Sequence, residues 1–355
     1  MKRNLFNFIV VVALLVVTAV ACNRDKPVTG VTLDYNTLEL FVDDPAILNA
    51  TINPVDAANK LVTWTSSHPD IVEVIAPSRG SIIARAIGTA TITVTTTDGG
   101  YTAKCVVTVS PLPNPIIPEM ILVEGGTFIM GCSDGDGKCV SNEKPNFEVR
   151  LDSYYIAKYP VTQREWRTIM RSNPSIFQGD DRPVENISWE EVNEFIEKLN
   201  AATGNKYEYR LATEAEWEYA ARGGKNNGPL FSGSSNIDEV AWYKGNSVST
   251  ERPNGETHPV GRKKANELGI HDMSGNVWEW CSDLFGSYSD TTRTGLDTVS
   301  GIWVNPQGPT VGIQRVARGG SCLDPSDHCR ISARYAPTPP IMTCHLGIRL
   351  VMPVK

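Results

Sequence analysis

The fold of the second half of the chain depends on the stretch Arg210-Leu-Ala-Thr-Glu-Ala-Glu-Trp-Glu-Tyr-Ala-Ala-Arg-Gly-Gly224. Thr213 precedes Glu216 by three residues, which is the spacing of a capping box. In that motif the two side chains satisfy the free N–H groups at the start of a helix. Two glycines then end the helical pattern, because glycine adopts the left-handed conformation that closes a helix. The stretch therefore predicts a short helix over residues 214–222.

Outward from this helix, residues 119–355 show few other helix signals. Two further capping boxes are present, Thr162 with Glu165 and Ser188 with Glu191. The segments between them are rich in glycine, asparagine, aspartate and aromatic residues and show little periodicity. This pattern predicts an α+β domain with few helices, short strands and long loops.

Residues 27–110 show a different pattern, with apolar residues at every second position. The alternation is clearest over residues 38–42, 48–52, 90–94 and 101–109, and turn residues separate these segments. Several short alternating strands predict an all-β sandwich. Residues 111–118 contain four prolines and predict an extended, semi-rigid linker between the two domains.

The N-terminus has the pattern of a targeting segment. Lys2 and Arg3 precede an apolar run that ends in Ala19-Val-Ala-Cys22. Residues 1–21 resemble a bacterial lipoprotein signal peptide, in which the chain is cut before the cysteine and the Cys22 thiol takes lipid. A plain secretory signal and an uncleaved membrane helix are the alternatives. The resemblance implies a membrane partner through lipid on Cys22 and a place in the cell envelope. Asn23 gives no signal for inner-membrane retention, which favours the outer membrane.

Composition narrows the possible partners. The chain has 355 residues, of which 41% are hydrophobic and 21% charged, as is ordinary for globular protein. Its net charge of −7 becomes −9 once residues 1–21 are removed, because they hold two basic residues and no acid. An acidic chain without a basic cluster argues against nucleic acid as a partner.

Both domains resemble known families. The first is similar to a bacterial immunoglobulin-like domain of group 2, through Val62-Thr-Trp-Thr-Ser-Ser67 and Gly88-Thr-Ala-Thr-Ile-Thr-Val94. The second resembles the formylglycine-generating enzyme, or sulfatase-modifying factor, family, which implies a C-type-lectin-like α+β fold with little regular secondary structure. The motifs behind the second resemblance are 125–131, 183–189, 210–224, 272–280, 318–321 and 347–350.

The second resemblance raises the question of catalysis. Formylglycine-generating enzymes oxidise a substrate cysteine with oxygen and a Cu(I) held by two thiolates. Counted from Ser321, the matching thiolate positions hold Asp324 and Cys329. A carboxylate is a poor ligand for Cu(I), which prefers soft thiolates, so the copper pair is incomplete. Cys322 and Cys329 with Ser321 remain the candidate catalytic residues if a two-thiolate site forms with another spacing.

The cysteines also predict disulfides, because an exported chain folds in an oxidising compartment. A bridge between Cys132 and Cys139 would close a six-residue loop, and we prefer this to a calcium loop. Cys322 bridged to Cys344, and Cys329 to Cys281, is the alternative to a thiolate site. Six cysteines allow 15 connectivities, so the sequence does not fix the pairing.

The family resemblance also implies a calcium site within residues 272–279. The ligands would come from Asp272, Gly275, Val277 and Glu279. Carboxylate and carbonyl oxygens of a tight loop suit Ca²⁺. The alternative is a structural turn that packs Trp278 and Trp280.

Two functions remain open. The first is an envelope-anchored binding or structural protein whose head contacts an envelope protein or glycan. The second is an oxygen-dependent oxidase that acts on protein cysteine or a related substrate and needs copper. The five histidines lack the spacing of the common metalloenzyme motifs.

Overall fold

The computed structural model describes residues 26–42, 44–111, 115–132, 137–224, 228–248, 253, 255–339 and 343–355. The signal segment and Cys22 lie outside these residues. The chain divides into two compact units, one ending at residue 113 and the other beginning at residue 114. Within the described residues no helix is both long enough and apolar enough to cross a membrane.

The first unit is all-β, as the alternating pattern predicts. A four-stranded sheet has the order β2-β9-β8-β5, a three-stranded sheet the order β3-β7-β6, and β1 pairs with β4. The strands are β1 (Gly30–Leu33), β2 (Thr37–Phe41), β3 (Pro45–Ile47), β4 (Ala50–Asn53), β5 (Val62–Ser66), β6 (Val72–Ala76), β7 (Ser81–Ala84), β8 (Gly88–Thr96) and β9 (Thr102–Ser110).

The core of this unit follows from the period of two. Along β9, Cys105, Val107 and Val109 are buried while the residues between them are exposed. Cys105 lies opposite Ile92 of β8 and is fully buried. Burial raises the pKa of its thiol, so Cys105 acts as a small apolar core residue.

The second unit is built on three four-stranded sheets with few helices, as the sequence predicts. The sheet orders are β10-β13-β21-β14, β11-β12-β17-β16 and β19-β18-β15-β20. The strands are β10 (Met120–Val123), β11 (Gly126–Met130), β12 (Phe147–Leu151), β13 (Tyr154–Ala157), β14 (Arg210–Leu211), β15 (Trp278–Leu284), β16 (Thr294–Leu296), β17 (Trp303–Gln307), β18 (Arg315–Arg318), β19 (Arg334–Tyr335), β20 (Leu346–Ile348) and β21 (Leu350–Pro353).

The helices begin where the capping boxes predict. They are α1 (Gln163–Met170), α2 (Trp189–Ala202), α3 (Glu214–Ala221) and the single turn α4 (Ile237–Val240). Thr162, Ser188 and Thr213 each form a complete capping box with the glutamate three residues on. Helix α3 ends one residue before the predicted end, with Arg222 as its C-cap.

Helix α3 is buried along its whole length, although three of its eight residues are glutamates. Its acids pair with arginines from strands that lie far along the chain. Arg318 donates to Glu214 at 3.3 Å and to Glu218, and Arg334 donates to Glu214 at 2.6 and 2.8 Å. Burial raises the pKa of Glu214, but Arg334 and Arg318 outweigh it and hold that pKa below its usual value.

Candidate functional site

A polar cluster forms around the Asp324 carboxylate in the loop that follows β18. Ser321 donates its hydroxyl to Asp324 Oδ2, and Trp278 Nε1 donates to the same oxygen at 2.8 Å. The other oxygen, Oδ1, lies 3.1 Å from His328 Nδ1. Ser321 is fully buried, whereas the His328 side chain is 56% exposed. The cluster therefore joins a buried hydroxyl to a solvent-facing imidazole through one carboxylate.

Two glycines allow the chain to fold around this cluster. Gly319 and Gly320 have φ values of +105° and +75°, which favour glycine. A Cβ on Gly320 would lie 2.7 Å from both Cys329 Sγ and the His328 carbonyl oxygen. The close approach places the short 3-10 turn Ser326–Cys329 directly beside Gly320.

Cys322 lies close enough to Cys344 for the two thiols to interact electrostatically. Burial chiefly raises the pKa of the Cys322 thiol, and the neighbouring Cys344, Asp324 and Glu185 raise it further. Burial and then Asp324 raise the pKa of Cys329. Thiols whose pKa values are raised stay protonated at neutral pH, which makes them weak nucleophiles.

Two of the disulfides considered from the sequence are absent from the structure. Cys281, Cys322, Cys329 and Cys344 all carry free thiols. Cys281 belongs to the core cluster around α3, whereas Cys329 packs with Phe231 and Val240 in a separate cluster. The Cys281–Cys329 pairing is therefore wrong, because the two side chains face different cores.

The Cys322–Cys344 bridge is also not formed, although the two thiols are neighbours. The structure does contain the bridge between Cys132 and Cys139, with the Cα atoms 5.8 Å apart. Residues 133–136 of that loop lie outside the described residues.

Glu185, just before α2, is a buried acidic residue that the sequence did not single out. It is fully buried in the turn before α2, and its Oε1 accepts a hydrogen bond of 2.8 Å from Phe177 N. Its Oε2 is buried without a hydrogen-bond partner. Burial raises the pKa of Glu185 to about 7. Its position within the motif 183–189 gave no hint, since a glutamate beside a helix cap is usually exposed.

Near Glu185 lie two more buried polar atoms without partners, Thr343 Oγ1 and His345 Nδ1. Asn186 N donates to the Thr343 carbonyl at 2.9 Å, which packs the two segments together. Burial lowers the pKa of His345, so its imidazole is neutral at neutral pH. Glu185 also acts electrostatically on the Cys322 and Cys344 thiols and raises the pKa of each.

The predicted calcium ligands Asp272 and Glu279 differ in how their carboxylates are engaged. Asp272 is buried; its Oδ2 accepts from Gly261 N at 2.7 Å and its Oδ1 has no partner. Both oxygens of Glu279 are occupied, by Arg349 at 2.7 to 3.2 Å and by Trp217 Nε1 at 2.7 Å. Asp272 therefore offers a free oxygen that fits a cation. Glu279 would have to give up a contact with Arg349 or Trp217.

The two other expected ligands offer only backbone carbonyls. Gly275 has a φ of +80°, and a Cβ there would lie 2.2 Å from the Trp242 carbonyl oxygen. Val277 is fully buried just before β15. The turn thus needs glycine for close packing, which agrees with a structural role as well as with a metal loop.

Comparison with known proteins assigns each of the two units to a domain family. The model of the sulfatase-modifying factor enzyme 1-like domain matches residues 107–354. The chain belongs to this family. The bacterial Ig-like domain of group 2 matches residues 27–107, so both resemblances drawn from the sequence are confirmed.

Proteins with several different names resemble this chain. The chaperone protein LppX of Paenibacillus barcinonensis is 37% identical over 230 residues, which cover 53% of this chain and 79% of that protein. The formylglycine-generating enzyme of Streptomyces coelicolor is 34% identical over 291 residues, covering 64% and 87%. The solved structure of Treponema denticola variable protein 1 has a TM-score of 0.57 and 28% identity, covering 66% and 95%.

The residues of this family member do not fit a two-thiolate copper site. Asp324 stands at the first expected thiolate, and its oxygens are held by Ser321, Trp278 and His328. At the second position, Cys329 is fully buried with a raised pKa. A hard carboxylate tied by three neighbours does not replace a soft thiolate on Cu(I).

Proposed function

We propose that this chain is an envelope-anchored binding protein whose sulfatase-modifying-factor-like head holds a ligand and carries out no copper-dependent oxidation. The observation that carries the proposal is the Asp324 cluster. Three side chains satisfy a carboxylate at the place where the oxidase would need a thiolate. Family membership alone does not decide activity, since one fold hosts many functions.

The remaining thiols support the same proposal. Cys322 and Cys329 are both fully buried. Cys281 is also buried, and burial raises its pKa well above the usual value. Oxidation of a substrate cysteine would need an accessible thiolate, and none of these three buried thiols provides one.

Attachment to the envelope rests on the N-terminal pattern and on the relatives. Cys22 would hold lipid and the first unit would act as a spacer, with the outer membrane favoured. The resemblance to a chaperone protein named LppX agrees with a role in handling a partner rather than in chemistry. An envelope protein or glycan would be the partner, and the net charge of −7 gives no reason to expect nucleic acid.

The test is to ask whether the chain takes Cu(I) from a coloured Cu(I) chelator and consumes oxygen with a cysteine-containing peptide. The wild type should do neither. Asp324→Cys restores the first thiolate position and should gain Cu(I) binding. Asp327→Cys is the matched control, because it places the same thiol on a neighbouring, half-exposed aspartate and should gain none. Stoichiometric Cu(I) uptake with oxygen consumption by the wild type would overturn the proposal.

A further inference from the structure

A cleft with a volume of about 740 Å³ opens in the second unit, between α2 and the ends of β14, β15 and β17. None of the residues of the Asp324 cluster lines it. Its size lies within the roughly 300–1,000 Å³ range of small-molecule sites. The cleft is therefore a second candidate binding site in the same unit.

Arg315, at the start of β18, gives this cleft its specific chemistry. Its Nη1 donates to the Ser282 carbonyl at 2.7 Å, and its guanidinium lies 4.3 Å from the centre of the Trp189 ring. These two contacts fix the plane of the guanidinium. Burial lowers the pKa of Arg315, although Asp283 opposes the effect. Within the described part of the chain, Arg315 makes no ion pair with a carboxylate.

The other charged groups of the cleft are already engaged. Arg210 forms a two-pronged pair with Glu216, with both N–O distances 2.7 Å. The Asp152 carboxylate accepts from Asn305 Nδ2 at 2.8 Å. These contacts leave Arg315 as a cation whose N–H donors are not matched by a carboxylate.

Asp283, the carboxylate nearest in sequence to the Ser282 contact, points toward the start of α3. Its oxygens accept from Glu214 N at 2.9 Å and from Gly308 N at 2.7 Å. Burial and the nearby Glu214 raise the pKa of Asp283 to about 6. Its oxygens accept from backbone donors and form no ion pair with the Arg315 guanidinium, although the carboxylate is near enough to stabilise that cation.

The uncharged lining suits hydroxyl groups. Side-chain amides and hydroxyls come from Asn193, Gln307, Ser153, Thr294 and Thr310. Such groups donate to and accept from sugar hydroxyls, while apolar lining residues shield the contacts from water. A planar guanidinium binds a carboxylate or sulfate through two parallel hydrogen bonds.

We propose that this cleft binds an acidic saccharide whose carboxylate or sulfate group pairs with Arg315. The inference rests on the proposed function as a binding protein and names its ligand class. It is independent of the Asp324 cluster, because the two sites share no residue. Copper uptake by the wild type would therefore overturn the proposed function but not the saccharide proposal. Absence of saccharide binding would overturn only the saccharide proposal.

Calorimetric titration of the full chain at low salt tests the proposal. The probes are D-glucuronate, D-glucose 6-sulfate and neutral D-glucose. At least one acidic sugar should bind tenfold or more tightly than glucose, and comparison of the two shows whether carboxylate or sulfate is preferred. Arg315→Gln should remove this preference. Arg315→Lys should keep part of it, because lysine retains the positive charge but cannot form the two parallel hydrogen bonds of a guanidinium.

The matched control is Arg262→Gln, which removes an exposed arginine outside the cleft and should bind like the wild type. Thermal unfolding of each variant shows whether the cleft is still folded. Equal binding of glucose and both acidic sugars, or an unchanged preference in folded Arg315→Gln, would overturn the proposal. If Arg315→Gln does not fold, Arg315→Lys decides. A weakened preference for the acidic sugar in folded Arg315→Lys supports the proposal, and a preference equal to that of the wild type overturns pairing with the guanidinium.

Discussion

The Trp278 indole donates a hydrogen bond of 2.8 Å to the Asp324 carboxylate, 46 residues further along the chain. Trp278 begins β15, the strand that lies between β18 and β20. Asp324 lies in the loop beyond β18. The bond therefore ties a loop to the central part of its own sheet and fixes the carboxylate at the position where related oxidases need a thiolate.

The first prediction concerns the buried ion network of α3. Arg318→Met should lower the free energy of unfolding by about 3–5 kcal/mol, because it leaves buried carboxylates without their partner. Of their arginine partners, Glu214 would keep only Arg334 and Glu218 only Arg222. Urea unfolding followed by tryptophan fluorescence is the measurement, since seven of the eight tryptophans lie in the second unit.

The control for this variant is Arg164→Met, which removes a half-exposed pair with Asp181. Exposed pairs contribute at most about 1 kcal/mol, so this change should be small. If Arg318→Met and Arg164→Met lower the free energy of unfolding by similar amounts, the buried ion pairs stabilise the protein no more than an exposed pair does.

The second prediction concerns the pH dependence of stability. Glu185 has a folded-state pKa of about 7 against an ordinary 4.5. The folded state thus holds its proton where the unfolded state has lost it, and stability falls as pH rises from about 4.5 to 7. The loss is at most about 3.4 kcal/mol, at about 1.36 kcal/mol per pKa unit over 2.5 units.

Glu185→Gln removes this titration. Its free energy of unfolding at pH 8 should exceed that of the wild type, while the two should be nearly equal at pH 4.5. Urea titrations at a series of pH values measure the difference. If the gap between variant and wild type stays constant from pH 4.5 to 8, Glu185 does not titrate in this range.

The third prediction tests calcium at Asp272. A ligand that binds only the folded state adds about 2.7 kcal/mol at a hundredfold excess over its Kd, so millimolar Ca²⁺ should raise the melting temperature by several degrees over chelator. Asp272→Ala should remove most of this gain, because the free Oδ1 disappears. Glu279→Gln should shrink it. Mg²⁺ serves as the control ion and should do much less, since it prefers a tighter octahedron. Equal melting temperatures with Ca²⁺ and chelator would leave the segment as a structural turn.

The fourth prediction concerns the anchor. Cys22→Ser should release the chain from membranes or block its processing, because the lipid-bearing thiol is lost. Membrane fractionation of cells with mass analysis of the N-terminus measures both effects. Cys105→Ser, a thiol buried in the first unit, is the control and should stay with the membrane. A wild type that fractionates with membranes but has an unlipidated N-terminus would contradict this anchor.

The sequence by itself determined the local features of this protein. The three capping boxes fixed where α1, α2 and α3 begin, because a cap depends on residues three apart. The period of two fixed the buried face of β9 in the same way. Family motifs then gave the order of the two domains.

Only the tertiary structure decided which side chains meet across long stretches of chain. It placed Cys322 beside Cys344 and kept Cys281 apart from Cys329. It buried Glu185 with a free oxygen and left Arg315 without a carboxylate. Such contacts depend on how sheets and loops pack over a hundred residues or more, and no local spacing encodes them. The chemistry of both candidate sites therefore follows from packing, while the starts of α1, α2 and α3 and the strand pattern of the first unit follow from the sequence.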